Sequence, residues 1–178
     1  IERPLLLVSN VSASASRDRQ LLRTSMENPY LAAVVREVRD QILGRTVARV
    51  SLAGSAILLD LRLPRDRVLR ISLDRASPAF YLSEADRERF NSGLRAGDGF
   101  ISLLRKHLLG ARLVSLDKDP LDRIVRILFE SFDAAGNTQQ SILVVSLTGR
   151  SANAWLVDSA GAVVDSFSEA VRDAPPVA

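Results

Sequence analysis

The sequence predicts an α+β domain whose core is a β-sandwich, or a barrel closed by helices, with helices flanking the sheets. Three observations predict it. Nine short segments have the length and apolar pattern of strands. Three segments show helical spacing or helix caps. The strands follow one another directly rather than alternating with helices, so a βαβ arrangement is not expected.

The elements are read in order as follows. Residues 1–25 form an appendage or linker, because "SNVSASAS" (Ser9–Ser16) is small and polar. Residues 26–170 form the domain, and residues 171–178, ending in "DAPPVA", form a frayed tail or linker start. The first helix opens at Asn28-Pro29, a cap followed by proline. Its apolar stripe is Leu31, Val34, Val35, Val38 and Ile42, and Gly44 ends it. Four strands follow, "RTVARVSL", "AILLDLRL", "RVLRISL" and "AFYL", punctuated by Gly54-Ser55, Pro64-Arg65-Asp66 and Ser77-Pro78. Ser83–Phe90 reads as a short helix with Ser83 as its cap. Asp98 caps the third helix and Gly110 closes it, with Phe100, Leu103, Leu104 and Leu108 as its buried stripe. The last five strands are "ARLVSL", "RIVRILFESF", "SILVVSL", "NAWLV" and "AVVDSF", with turns at Asp133–Asn137 and Ser159–Gly161.

Composition narrows the function. The 178 residues are 47% hydrophobic, enough for a packed core. No apolar run approaches the roughly 20 residues needed to span a bilayer, so no membrane partner is expected. The sequence starts at Ile1 without methionine and is read as a fragment or trimmed chain. It holds no cysteine, which removes thiolate nucleophiles, disulfides and common zinc sites, and fits a reducing compartment. One histidine, His107, cannot make a multi-histidine metal site. No phosphate loop, nucleophile elbow or HExxH helix is present, and neither cofactor nor metal is expected. Lys106 and Lys118 are the only lysines among 24 basic residues. The arginine excess reflects either codon usage or a partner rich in phosphate, which the guanidinium fork grips well.

Three clusters stand out. Arg105-Lys106-His107 lies on the third helix, with His107 inside the apolar stripe as a packed, structural side chain. Arg105 and Lys106 flank it, either as a solvated rim or as phosphate contacts. Asp122-Arg123 opens a strand, where neighbouring side chains point to opposite faces. Arg123 shares a face with Val125, Ile127 and Phe129, and Asp122 shares one with Ile124 and Leu128. Charges at the mouth of an apolar strand are either a buried pair or a ligand contact. "TGRSAN" (Thr148–Asn153) is either a plain turn or a loop whose Arg150 and Asn153 contact a ligand. Asp117 and Asp119 are read as solvent-facing turn residues.

The succession "FISLLRKHLLGARLVSL", "LDRIVRI" and "LVVSLTGRSANAWLVDSAGAVVDS", preceded by "ENPYLAAVVREVRDQILGRTVARV", resembles the N-terminal domain of the NFACT family, over roughly Met26 to Glu169. The resemblance implies a fold like the N-terminal lobe of the formamidopyrimidine-DNA glycosylases, a β-sandwich with flanking helices. It also implies a non-enzymatic, cytoplasmic RNA-binding module of a bacterial ribosome-associated quality-control factor. Such factors bind tRNA and the stalled large ribosomal subunit with its peptidyl-tRNA, and support C-terminal alanine tailing. The family's tRNA-binding Asp-Arg pair maps onto Asp122 and Arg123, and Arg105, Lys106, Arg150 and Asn153 are further candidate RNA contacts. Members also carry the name of fibronectin- or fibrinogen-binding proteins, which makes a surface adhesin the alternative. A glycosylase-like DNA-binding protein is a more distant one. That chemistry needs an N-terminal proline followed by glutamate, where this sequence has Ile1-Glu2. The sequence departs from the family at Ser151-Ala152, where His-Ser is usual, at "GLRAGDG", where a Pro-Pro pair is usual, and at Tyr30, where some members have an acid.

Overall fold

The computed structural model describes residues 28–84 and 99–169. Among them, helix α1 (Asn28–Ile42) is followed by strands β1 (Arg49–Ala53), β2 (Ala56–Asp60), β3 (Arg67–Ser72) and β4 (Ala79–Glu84). Helix α2 (Gly99–Leu108) then leads into β5 (Arg112–Lys118), β6 (Ile124–Phe132), β7 (Thr138–Ser146), β8 (Asn153–Asp158) and β9 (Val163–Ser166). All nine strands expected from the sequence form. They make two antiparallel sheets in simple sequential order, β1 to β4 and β5 to β9. Neither sheet closes on itself among the described residues, so the barrel alternative falls.

Both sheets and both helices feed one apolar cluster. Leu59, Leu69 and Ile71 enter from the first sheet, Val125, Ile127 and Leu143 from the second, Leu31 and Ile42 from α1, and Leu104 from α2. Each such side chain contributes about 1.5–3 kcal/mol by leaving water. The helices stitch the sheets together. α1 packs on β4 and β5, and α2 on β1, β6 and β9.

The buried stripe of α1 is Leu31, Val35, Val38 and Ile42, as the spacing predicts, with Val34 only partly buried. On α2 the buried positions are Phe100, Ile101, Leu104 and Leu108. Leu103 is half-buried at the margin, and Ile101 takes the inward place expected for it. Gly44 leaves α1 at φ 74°, and its amide donates to the Leu113 carbonyl at 2.9 Å. A side chain there would be strained, and its Cβ would stand 3.4 Å from the Arg112 guanidinium.

Residues 45–48 do not belong to β1 as expected. Residues 45–47 run along the outer edge of β5 instead, where the Val47 amide donates to the Ala111 carbonyl at 2.9 Å and the Leu113 amide to the Arg45 carbonyl at 2.8 Å, while the Ala48 amide already donates to the Asp60 carbonyl of β2 at 2.7 Å. One stretch of chain therefore covers an edge of the second sheet before becoming an edge of the first, which answers the open-edge problem of sheets. Ser83 and Glu84 pair with Val68 and Arg67 inside β4, so Ser83 is not a helix cap; residues 85–90 of that predicted helix lie outside the described residues. The appendage at 1–25 and the tail at 171–178 lie outside them as well.

Candidate functional site

The chain leaves β5 at Lys118 and re-enters the sheet at Ile124. Asp122 and Arg123 thus precede β6 rather than opening it. The reason is Asp119. Its Oδ1 accepts from the backbone amides of Leu121 at 2.9 Å and Asp122 at 3.0 Å, which bends the chain away from extended geometry. Its Oδ2 meets the Arg126 guanidinium at 3.3 Å. Those two amides, followed by Arg126, hold the Asp119 carboxyl below the usual carboxylate range, against an opposing contribution from partial burial. The turn is closed from behind, since the Asp119 amide donates to the Ile124 carbonyl at 2.9 Å. Asp119 is therefore an organiser, not the plain solvent-facing turn residue that its position suggested. Asp117 lies in β5 and pairs with Arg39 at 3.6 Å.

This turn projects three side chains. Leu121 is 91% exposed, an apolar group held in water at the apex. Asp122 is exposed, and its Oδ1 accepts only the next amide, that of Arg123, at 2.7 Å. Arg123 is half-buried, and its guanidinium makes no hydrogen bond or ion pair among the described residues. The side chains beyond the turn alternate as expected. Val125, Ile127 and Phe129 enter the main core, while Ile124 joins a second cluster with Val144, Trp155 and Val157.

The loop carrying Arg150 lies at the same end of the sheet. The Leu147 amide donates to the Arg123 carbonyl at 2.9 Å, and a short 3₁₀ turn, Gly149–Ser151, follows. Arg150 is exposed there. Asn153 is not available. It is wholly buried, its Nδ2 donates to the Ser168 carbonyl at 3.0 Å, and its Oδ1 accepts the Ser168 amide at 2.8 Å. The expectation of an RNA contact from Asn153 is corrected accordingly: a side chain with both ends used and no exposed surface cannot reach a ligand. It staples the end of β9 to β8.

Arg105, Lys106 and His107 lie elsewhere. α2 runs into the start of β5, whereas Asp122 and Arg123 follow its end. Seven strand residues separate the clusters, about 20 Å at ~3.3 Å per residue. Arg105 Nε donates to the Val50 carbonyl at 3.0 Å, capping the outer edge of β1. Lys106 is exposed. His107 is half-buried at the margin of the stripe, not inside it.

A groove of about 440 Å³ adjoins the Asp119 turn, between α1 and the end of β5. Pro29, Ala32, Val35, Leu116 and Pro120 supply apolar walls, and Arg36, Arg39 and Lys118 supply cations. Asn28 Nδ2 donates to the Pro120 carbonyl at 3.4 Å, which ties the helix to the turn, while Asn28 Oδ1 is buried without a hydrogen-bond partner among the described residues. Sequence reasoning missed this groove, because its two walls lie about 90 residues apart in the chain.

The fold is an α+β scaffold that presents polar side chains on sheet-end turns. The chain belongs to the family of NFACT N-terminal and middle domains, whose pattern it matches over residues 28–174. It is 25% identical over 134 residues to "Rqc2 homolog RqcH" from two strains of Streptococcus pneumoniae, D39 and R6, a match covering 75% of this chain and 24% of those proteins. The chain thus spans about a quarter of these relatives. Among solved structures it is similar to the N-terminal domain of fibronectin-binding protein PavA from S. pneumoniae (TM-score 0.71, 24% identity, 79% of this chain and 53% of that one). It is similar also to the N-terminal part of the fibronectin/fibrinogen-binding protein of Streptococcus suis (TM-score 0.72, 24% identity, 79% and 52%). The fibrinogen-binding protein of Staphylococcus aureus shares the fold at 19% identity (TM-score 0.69, 86% and 57%). No helix among the described residues is long and apolar enough to cross a membrane.

Proposed function

We propose that this domain is the RNA-binding module of a ribosome-associated quality-control factor, that it holds tRNA through Asp122 and Arg123, and that it does no bond-making chemistry itself. The observation that carries the reading is the Asp119 turn, where the Arg123 guanidinium has no partner among the described residues and stands beside an exposed Asp122. Arginine forks a phosphate or stacks on a base, and aspartate accepts from a ribose hydroxyl or a base amine. Membership of the NFACT family supports the same reading. In the whole factor the domain works in the cytoplasm, on tRNA bound to a large ribosomal subunit that carries peptidyl-tRNA, in support of C-terminal alanine tailing. It needs neither cofactor nor metal. For the fold we propose a likeness to the N-terminal lobe of the formamidopyrimidine-DNA glycosylases, without their base-excision chemistry.

The test is tRNA binding by the isolated domain across a salt series. Each phosphate contact contributes a slope of about −0.7 to −0.9 in log K against log salt. A salt-independent interaction, or no recovery of large subunits with the full-length protein, counts against the reading. The second reading, binding of fibronectin or fibrinogen, draws on the names of the three similar structures. Retention on immobilised fibronectin or fibrinogen without tRNA affinity favours it.

A further inference from the structure

We propose that the groove between α1 and the Asp119 turn is a subsite for one unpaired nucleotide of the bound RNA. This rests on the RNA-binding reading above and extends it from the turn to a second contact. The volume, about 440 Å³, lies within the range of small-molecule sites, roughly 300–1,000 Å³. The walls differ in character, as a nucleotide does. Pro29, Ala32 and Pro120 supply apolar lining for a base. Arg36 is exposed and makes no hydrogen bond or ion pair among the described residues. Lys118 Nζ donates to the Asp119 carbonyl, which leaves its charge unneutralised.

The two acids of the lining are already engaged. Asp117 pairs with Arg39, and Asp119 serves the turn and Arg126. Arg36 and Lys118 therefore remain for a phosphate. Asn28 Oδ1 is a buried acceptor without a donor among the described residues, a cost that an exocyclic amine or ribose hydroxyl would remove. Pro120 borders the groove and Leu121 follows it directly, so a strand crossing Asp122 and Arg123 passes the mouth of the groove. A duplex offers no free base there; a single-stranded loop does.

The experiment compares three fluorescent or isotope-labelled probes on the 178-residue chain: a single-stranded oligonucleotide, a blunt RNA duplex of equal length, and a nucleoside monophosphate. Ala32→Phe fills the groove from a half-buried helix position, and Arg36→Ala removes a cation that has no partner among the described residues without touching the core. The expected result is a loss of about tenfold in affinity for the single strand in either variant, with less than about twofold change for the duplex. Equal losses on both probes, or none, overturn the subsite while leaving RNA binding by Arg123 standing. If the monophosphate alone saturates the groove and the oligonucleotide does not compete, the ligand is a free nucleotide and the RNA assignment is overturned. If the wild-type chain binds no probe, both the subsite and the RNA-binding reading fail. Unfolding curves for both variants, with Ala32→Leu as a smaller plug, separate a filled groove from a damaged fold.

Discussion

The two ends of β5 carry the two basic clusters of the middle of the chain, and they use their arginines differently. At its start, Arg105 is half-buried and caps the Val50 carbonyl on an open sheet edge. At its end, Arg123 has no partner among the described residues, while Asp119 bends the backbone so that Asp122 and Leu121 face water. One cluster closes the fold and the other is held open by it. The same contrast recurs within one loop, where Arg150 is exposed and Asn153 is buried. Residue type does not separate a binding arginine from a structural one; the occupancy of its donors does.

Four experiments break or sharpen this contrast. The largest effect is expected for Asn153→Ala, which removes the acceptor of the Ser168 amide and leaves the Ser168 carbonyl only the Ser166 hydroxyl, and should cost about 1–3 kcal/mol of stability in denaturant unfolding. Affinity for tRNA per folded molecule should not change. Arg123→Ala should do the reverse: tRNA affinity falls by about 1–3 kcal/mol and the salt slope flattens by roughly one contact, at unchanged melting. An early-melting Arg123→Ala with normal binding when folded would return this residue to a structural role and erase the difference between the two ends.

Arg105→Ala should lower stability by about 1 kcal/mol, because the Val50 carbonyl regains only water as a partner and the site is partly exposed. Its tRNA affinity should be unaltered. Loss of binding without loss of stability would make α2 part of the interface. The smallest change is expected for His107→Ala, below about 1 kcal/mol, since the ring is half-buried at the stripe margin and makes no hydrogen bond among the described residues. A larger loss in a thermal melt would restore the packed histidine that the helical wheel predicts.

Acid should loosen the Asp119 turn. The Asp119 carboxyl is held below its ordinary value in the fold, so its contribution is present above the unfolded value near 3.8 and is lost as pH falls through the lower folded value. Amide exchange or chemical shifts of Leu121 and Asp122 should report that opening in acid, and Asp119→Asn should show a loosened turn at neutral pH. An unchanged turn in Asp119→Asn would remove Asp119 as organiser.

Much of this was legible from residue order. The stripe of α1, the nine strands and the turn at Asp133–Asn137 follow from local periodicity and turn chemistry, and they form as expected. The faces of β6 also followed from simple alternation. Such features depend on neighbours a few residues apart, which a single chain displays directly.

Tertiary structure decided the rest. Residues 45–47 look like the start of a strand, and only the nearby edge of β5 recruits them to the other sheet. The burial of Asn153 depends on Ser168, fifteen residues on, and the cap on Val50 depends on Arg105, fifty-five residues on. The groove needs α1 beside a turn about ninety residues away. The arginine-rich composition determined that this protein carries many guanidinium groups. Which of them are consumed by the fold and which stay free for a ligand was settled by long-range packing, because a donor's partner is a property of space and not of sequence position.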